Sequence, residues 1–260
     1  MAKICPLFSS SSGNSTYIGA ESGGILIDVG VSARKLISAL NEKSIEIDNI
    51  TGIFITHSHY DHISGLLTLT KHHNIPIFAS EKTFAELIKC NRLPAGATIN
   101  IENCTDVANM EISRFFTSHD SPGSCGYIVK LPNGDRVAVC TDLGYVSEEV
   151  RNAITGCKTV VIESNHDISM LNSGPYPIEL KMRISSKLGH LSNSACASEL
   201  SGLVNSGATR FILAHLSEEN NRPDIAKTTA VGALISNGFI ENEDYILNVA
   251  APSGNKIISI

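Results

Sequence analysis

One short stretch limits what this chain can fold into more than any other. Ile53-Phe54-Ile55 runs directly into Thr56-His57-Ser58-His59-Tyr60-Asp61-His62, and Ile63-Ser64-Gly65-Leu66-Leu67 follows. An apolar run that stops at a polar cluster and resumes with helical spacing reads as a buried strand, a tight loop and a helix start. Three imidazoles and a carboxylate packed into residues 57–62 each need hydrogen-bond partners or a cation once they leave water. Side chains 57 and 59 share a direction because a strand repeats every two residues, whereas Asp61 and His62 turn the corner. Two pairs of nitrogen and oxygen ligands aimed at adjacent points make a candidate binuclear metal centre.

Composition narrows the setting of that centre. With 42% hydrophobic and 18% charged residues, the 260-residue chain has the balance of a folded globular protein. A formal net charge of -6 argues against broad, non-specific nucleic-acid binding through a basic surface. It leaves a phosphate substrate open, because two divalent ions would add positive charge locally. The seven cysteines include no CxxC pair, so reduced, buried thiols are expected rather than a disulfide framework. No signal-peptide pattern and no long apolar run are visible, so a cytoplasmic protein without membrane spans is expected.

Along the chain, Ile4 to Phe8 reads as a strand and Ser9 to Ser15 as a turn-rich polar segment, either a flexible loop or a lining of the site that includes Asn14. Thr16–Ala20 and Gly24–Val29 form a predicted hairpin, with Asp28 at the end of its second strand. Helices are expected over 32–40, 65–73, 80–90, 147–155, 194–206 and 223–237. Strands are expected over 50–55, 75–79, 98–101, 107–116, 124–131, 136–140, 159–163, 210–214, 246–250 and 256–260. Pro132-Asn133-Gly134-Asp135 predicts a type I′ hairpin turn. Strands then helices, twice over, fit two mixed sheets packed face to face with helices outside, in a single domain spanning 1–260. Three more ligand candidates, His119, Asp142 and His215, each follow a predicted strand, and strand ends on one edge of a sandwich converge.

The Thr56–His62 stretch with Gly65 resembles the HxHxDH signature of the metallo-β-lactamase superfamily, and Asp28, His119, Asp142 and His215 fall in the order of its remaining motifs. Further strings resemble the YycJ (WalJ) branch, which is associated with DNA exonuclease activity. They are Ser10 to Thr16, Thr141-Asp142-Leu143-Gly144, Glu163 to Asp167, Gly189 to Asn193, and Leu213 to Asn220. Gly189-His190-Leu191-Ser192 is also similar to a motif of ribonuclease Z, while the inserted helical domain of the β-CASP nucleases and the extended arm of ribonuclease Z have no counterpart here.

The resemblance implies an αββα sandwich, an α/β fold of four layers with two divalent ions at one edge of its sheets. Zinc or manganese is expected, with iron also compatible. It assigns one ion to His57, His59 and His119 and the other to Asp61, His62 and His215, with Asp142 and a hydroxide bridging them. That hydroxide would be the nucleophile, aimed by Asp61, and His190 would protonate the leaving oxygen with Glu163 fixing its ring. His166, Asp28, Asn14, Ser192 and Asn193 are expected around the site, and Tyr176, Lys181 and Arg183 along the path of a strand. The implied activity is a metal-dependent phosphodiesterase, a DNA exonuclease acting from the 5′ end. A small thioester or ester hydrolase of glyoxalase II type is the alternative.

Overall fold

Alternation within single strands sets the layering of this molecule, of which a computed structural model describes residues 2–260. Along β10 (Arg136–Cys140), Val137 and Val139 join one buried cluster while Ala138 and Cys140 join another. Along β11 (Thr159–Glu163), Val161 is separated in the same way from Val160 and Ile162. β4 (Ile50–Phe54) divides Ile53 from Phe54. Strands buried on both faces read as continuous apolar runs, and a sheet of them must be covered on both sides.

Among the described residues two sheets of seven strands meet this need. The first runs β14 (Ile258–Ser259), β1 (Lys3–Ser10), β2 (Gly13–Ala20), β3 (Gly23–Ile27), β4, β5 (Ile77–Phe78) and β6 (Ile99–Asn100). The second runs β13 (Ile246–Val249), β12 (Arg210–Ala214), β11, β10, β9 (Cys125–Lys130), β8 (Met110–Phe116) and β7 (Cys104–Val107). Pairing is parallel from β3 to β6 and from β10 to β13, and antiparallel elsewhere. The core between the sheets takes Ile18, Ile25 and Phe54 from one and Ile112, Tyr127 and Val139 from the other. Phe54 stacks on Phe78 at 4.4 Å and meets Tyr127 edge-on at 5.4 Å, which locks the sheets together at the end near the histidine loop.

Helices cover the outer faces. On the first sheet, beside the short α2 (Tyr60–Ile63) that carries Asp61 and His62, α1 (Ala33–Asn41), α3 (Leu66–His72) and α4 (Glu81–Lys89) bury Leu36, Leu40, Leu69, Phe84 and Leu87. On the second, α5 (Glu148–Ile154), α8 (Asn193–Asn205) and α9 (Pro223–Ser236) bury Val150, Ile154, Leu200, Leu203 and Leu234. Ser32, Ser80, Ser147 and Ser192 cap four of these helices by accepting from a backbone N–H three residues on. Each such cap contributes about 1 kcal/mol. The result is the expected four-layer αββα sandwich.

Three local expectations are corrected. Ser9–Ser15 is not a loop: β1 continues to Ser10 and β2 begins at Gly13, with Ser9 paired to Asn14. At 131–135 only Gly134 has positive φ, and its N–H bonds Leu131 O at 2.9 Å. Proline fixes a negative φ at position 132, so the turn is not type I′. The predicted strand 107–116 is instead broken by Ala108 and Asn109, both at positive φ, as a type I′ turn requires. Two short helices the sequence did not announce, α6 (Ile168–Ser173) and α7 (Ile178–Ile184), lie between β11 and α8. All seven cysteines are free, five of them buried, and no described helix is long and apolar enough to cross a membrane.

Candidate metal centre

Strand direction brings the polar residues to one edge. β8 and β10 both flank β9 antiparallel, so β8, β10, β11 and β12 end together, and β1, β3 and β4 end together by the same parity. Asp28 follows β3, Thr56–His62 follow β4, His119 follows β8, Asp142 follows β10, Glu163 closes β11 and His215 follows β12. Ligand sites of α/β sheets lie outside such carboxyl ends. Asp28, Asp142 and His215 all adopt positive φ, at 65°, 61° and 54°. Each such residue costs on the order of 1–3 kcal/mol, which the surroundings must offset. Asp28 accepts from the Thr56 N–H and hydroxyl at 2.8 Å each, and Ser9 Oγ accepts from His215 N at 2.8 Å. Gly30 passes so close to the loop that a Cβ there would sit 1.7 Å from Asp61 O and 2.4 Å from Asn14 N, so no side chain fits.

The seven predicted ligands come together here. His57, His59 and His119 offer ligand atoms within 4.8 Å of one another, as do Asp61, His62 and His215. Asp142 joins the two sets, with Oδ1 3.8 Å from His119 Nε2 and Oδ2 3.3 Å from His62 Nε2. The nitrogen of each buried ring that turns away from the cluster has a partner. Thr56 Oγ1 lies 3.0 Å from His57 Nδ1, Asp28 Oδ2 2.7 Å from His62 Nδ1, Gly189 O 3.0 Å from His119 Nδ1, and Glu163 Oε1 2.7 Å from His215 Nδ1. Facing inward, His57 Nε2, His215 Nε2 and Asp142 Oδ2 are buried with no hydrogen-bond partner among the described residues. Buried polar atoms are ordinarily satisfied, so three orphans among the atoms of the two ligand sets and the Asp142 that joins them, with this donor set, fit divalent ions of the zinc or manganese kind.

Electrostatics agree with that fit. Burial alone would push His62 down, but the carboxylates of Asp142, Asp61 and Asp28 outweigh it and hold the ring well above the usual imidazole range. Burial likewise lowers His215, yet Asp142, Asp61 and Glu163 bring it up to about 10. Burial would raise Asp61 too, and the His62 and His215 rings beside it pull it below the usual carboxylate range. His57 is held well below its ordinary value by burial and by its neighbours His62, His119 and His59, which keeps it the neutral ligand a metal needs. A buried set of carboxylates that raises its histidines so strongly is a site that demands cations.

Around this core, Asn14 Nδ2 donates to Asp61 Oδ2 at 3.2 Å and lies 3.1 Å from His62 Nε2. Glu163 is saturated: Oε1 takes His190 Nδ1 at 2.8 Å as well as His215, and Oε2 accepts the Leu143 and Leu191 N–H groups. His190 sits with its ring 5.1 Å from that of His119 and 5.2 Å from that of His215. His166 is buried, belongs to none of the ligand groups, and pairs its backbone with Ser192. Ser192 caps α8, and Asn193 accepts from Ser164 Oγ at 2.6 Å, so both act as framework. Lys181 Nζ donates to Asn172 O and Arg183 is paired with Asp120, while Tyr176 is half-buried.

Sequence reasoning missed the residues that fasten the site. Asn221 Nδ2 donates to the Ser164 and Asn165 carbonyls, and Asn165 Nδ2 donates to His215 O at 2.9 Å. Asp120 lies beside His59 and His119, 3.6 and 3.5 Å from their Nε2 atoms. Asn165 stands in the Glu163–Asp167 string and Asn221 directly follows Leu213–Asn220, a faint signal, but nothing in the sequence marked Asp120. Next to His119 a cavity of about 400 Å³ opens, with Lys82, Arg114 and Phe116 in its wall.

Comparison with known proteins agrees with this geometry. The chain is 31% identical over 249 residues to "Exodeoxyribonuclease YycJ" of Bacillus anthracis, covering 95% of this chain and 94% of that protein. It is 32% identical to "Exodeoxyribonuclease WalJ" of Streptococcus pneumoniae, over 89% of this chain and 88% of that one. Among solved structures, Zn(2+)-bound PqqB from Methylobacterium extorquens superposes with a TM-score of 0.74 over the whole of both chains, at 14% identity, a likeness of fold alone. Residues 24–216 match the family model described as "Beta-lactamase superfamily domain". That span takes in the strand ends from Asp28 to His215, and the chain belongs to the metallo-β-lactamase superfamily, as a metallo-hydrolase of its YycJ/WalJ branch.

Proposed function

We propose that residues 1–260 act as one catalytic domain, a cytoplasmic DNA exonuclease that cleaves phosphodiesters from the 5′ end with two zinc or manganese ions. In this reading His57, His59 and His119 would hold one ion and Asp61, His62 and His215 the other, with Asp142 lying between the two sets. When bound, the ions would activate a water as Lewis acids and neutralise charge on the phosphate oxygens. Asp61 accepts a hydrogen bond from the attacking water and orients it. Glu163 accepts from His190 Nδ1, and in the imidazolium form of the ring Nε2 carries the proton that passes to the leaving oxygen, returning the ring to neutral. Lys82, in the wall of the cavity beside His119, gives a second phosphate a place to bind. The names of the YycJ and WalJ relatives support DNA and an exonucleolytic action, and the free cysteines support a reducing compartment.

The observation that carries the proposal is His190, docked on Glu163 at 2.8 Å with Asp142 Oδ1 3.7 Å away. A thiolate leaves unaided, since a thiol has a pKa of about 8.5. A sugar alkoxide is far more basic and needs a proton donor, which is what this histidine provides. The test is cleavage of 5′- and 3′-labelled single- and double-stranded DNA and RNA by protein loaded with Mn²⁺ or Zn²⁺, with the Asp61→Ala/His62→Ala variant as control. Release of nucleotides from the 5′ end of DNA, absent in the variant, is the expected result. No cleavage of any nucleic acid by the loaded protein would redirect the assignment to a small thioester or ester.

A further inference from the structure

We infer that Asp120, clamped by Arg183, is the carboxylate that fixes the ring tautomer of His59 and thereby sets the affinity of the ion at His57, His59 and His119. The inference rests on the metal-centre reading and not on the identity of the substrate.

His59 is the exception among the imidazoles of the two ligand sets. His57, His62, His119 and His215 each have a buried partner, Thr56, Asp28, Gly189 O and Glu163, on the nitrogen that points away from the cluster. His59 has a side chain one third exposed, and the group facing its Nε2 is Asp120 Oδ1 at 3.6 Å. The tautomer matters at this position. His119 Nδ1 must carry its hydrogen, because Gly189 O at 3.0 Å can only accept, so His119 Nε2 presents a lone pair. His59 Nδ1 lies 3.2 Å from that lone pair and therefore holds the proton in their mutual hydrogen bond. To bind an ion between these two atoms, His59 must free Nδ1 and carry its proton on Nε2. Asp120 is the acceptor placed to receive it, about half an ångström beyond a normal N–H···O length.

Arg183 makes Asp120 a fixed acceptor and not a mobile surface acid. Its Nε donates to Oδ2 at 2.6 Å and a terminal NH₂ donates to Oδ1 at 3.1 Å, the two-pronged geometry that immobilises a carboxylate. Arg183 lies on α7, and the turn after α7 supplies both Gly189 O to His119 and Lys187 O to the Ser118 hydroxyl. The segment 178–190 thus holds the outer side of two ligand rings of one ion. Arg183 is accordingly a positioning residue whose guanidinium is already engaged, not a free cation awaiting phosphate.

The experiment is a Zn²⁺ titration against a chromophoric chelator for wild type, Asp120→Ala, Asp120→Asn and Arg183→Ala, with thermal unfolding in EDTA run alongside. Asp120→Ala is expected to weaken one of the two bound ions by about 10–100-fold, the effect of losing an outer-shell carboxylate, and to leave the other unchanged. Asp120→Asn keeps an acceptor oxygen and should recover part of the loss, and Arg183→Ala should weaken the same ion by less. Wild-type affinity at both sites in Asp120→Ala overturns the inference. So does equal weakening of both ions together with a lower unfolding temperature in EDTA, which would mark a merely structural pair. A wild type that takes up no Zn²⁺ overturns the metal-centre reading as well, whereas the outcome of the DNA assay does not enter.

Discussion

His190 is the residue at which alternative chemistries part. It reaches the site from the turn before α8, and its Nδ1 is committed to Glu163, so only Nε2 can meet substrate. His190→Ala should leave the ion content unchanged while lowering DNA cleavage by about 10²–10⁴-fold, the usual contribution of a positioned acid. The loss should shrink for a 4-nitrophenyl phosphodiester, whose leaving group needs no proton; metal analysis and single-turnover rates on both substrates check it. An equal loss on both would assign His190 to binding instead. Single residues were legible in the sequence where a motif holds them next to one another, as in His57–His62, or where each closes an apolar run, as with His119, Asp142 and His215. Asp120 was not legible, because its meaning comes from Arg183, 63 residues away, and from a 3.6 Å approach to His59. Ser192 and Asn193 were legible as motif residues, yet their side chains cap a helix and join a buried amide network.

That network operates at the scale of elements. Asn221, just before α9, bonds the backbone after β11 through Ser164 O and Asn165 O and meets Asn193 Oδ1 at the start of α8. Asn165 in turn donates to the carbonyl of His215, a residue that already sits at positive φ. One amide thus registers two helices and two strand ends. Its removal takes away the partner of Ser164 O and of Asn193 Nδ2, while Asn165 O keeps the Ser217 N–H and Asn193 Oδ1 keeps the Ser164 hydroxyl. Asn221→Ala should destabilise the fold by about 1–3 kcal/mol, as expected for unsatisfied buried polar groups. A lower urea midpoint with an unchanged slope would show it, and an unchanged midpoint would mean that water replaces the amide. Elements buried on both faces had clear bounds in the sequence, and 136–140, 159–163 and 210–214 coincide with β10, β11 and β12. Exposed or polar elements did not. The break between β7 and β8 rests on Ala108 at positive φ, which no turn preference favours, and α6 and α7 are too short to show a periodicity.

At the scale of the whole molecule, the centre joins the two halves of the sandwich. Asp28 and the 57–62 segment follow strands of the first sheet, whereas His119, Asp142 and His215 follow strands of the second. The layering was legible because two blocks of strands then helices need two sheets; that the carboxyl ends of both sheets meet at one edge follows from pairing parity, which the sequence does not print. Ions held across that edge bind the native state and not the unfolded chain, so they stabilise by mass action. A free ion concentration a hundred times the dissociation constant contributes about 2.7 kcal/mol per site. Stripping both ions also leaves the carboxylates of Asp61 and Asp142 to be balanced by protons on His62 and His215, a poorer match than divalent charge. For a domain of this size each kcal/mol moves the midpoint by about 2–4 °C, so EDTA should lower the unfolding temperature by roughly 10 °C or more. Scanning calorimetry with and without chelator, followed by restoration with Zn²⁺ or Mn²⁺, checks this. An unchanged midpoint would mean that the sheets hold together without help from the ions, and that the centre serves chemistry alone.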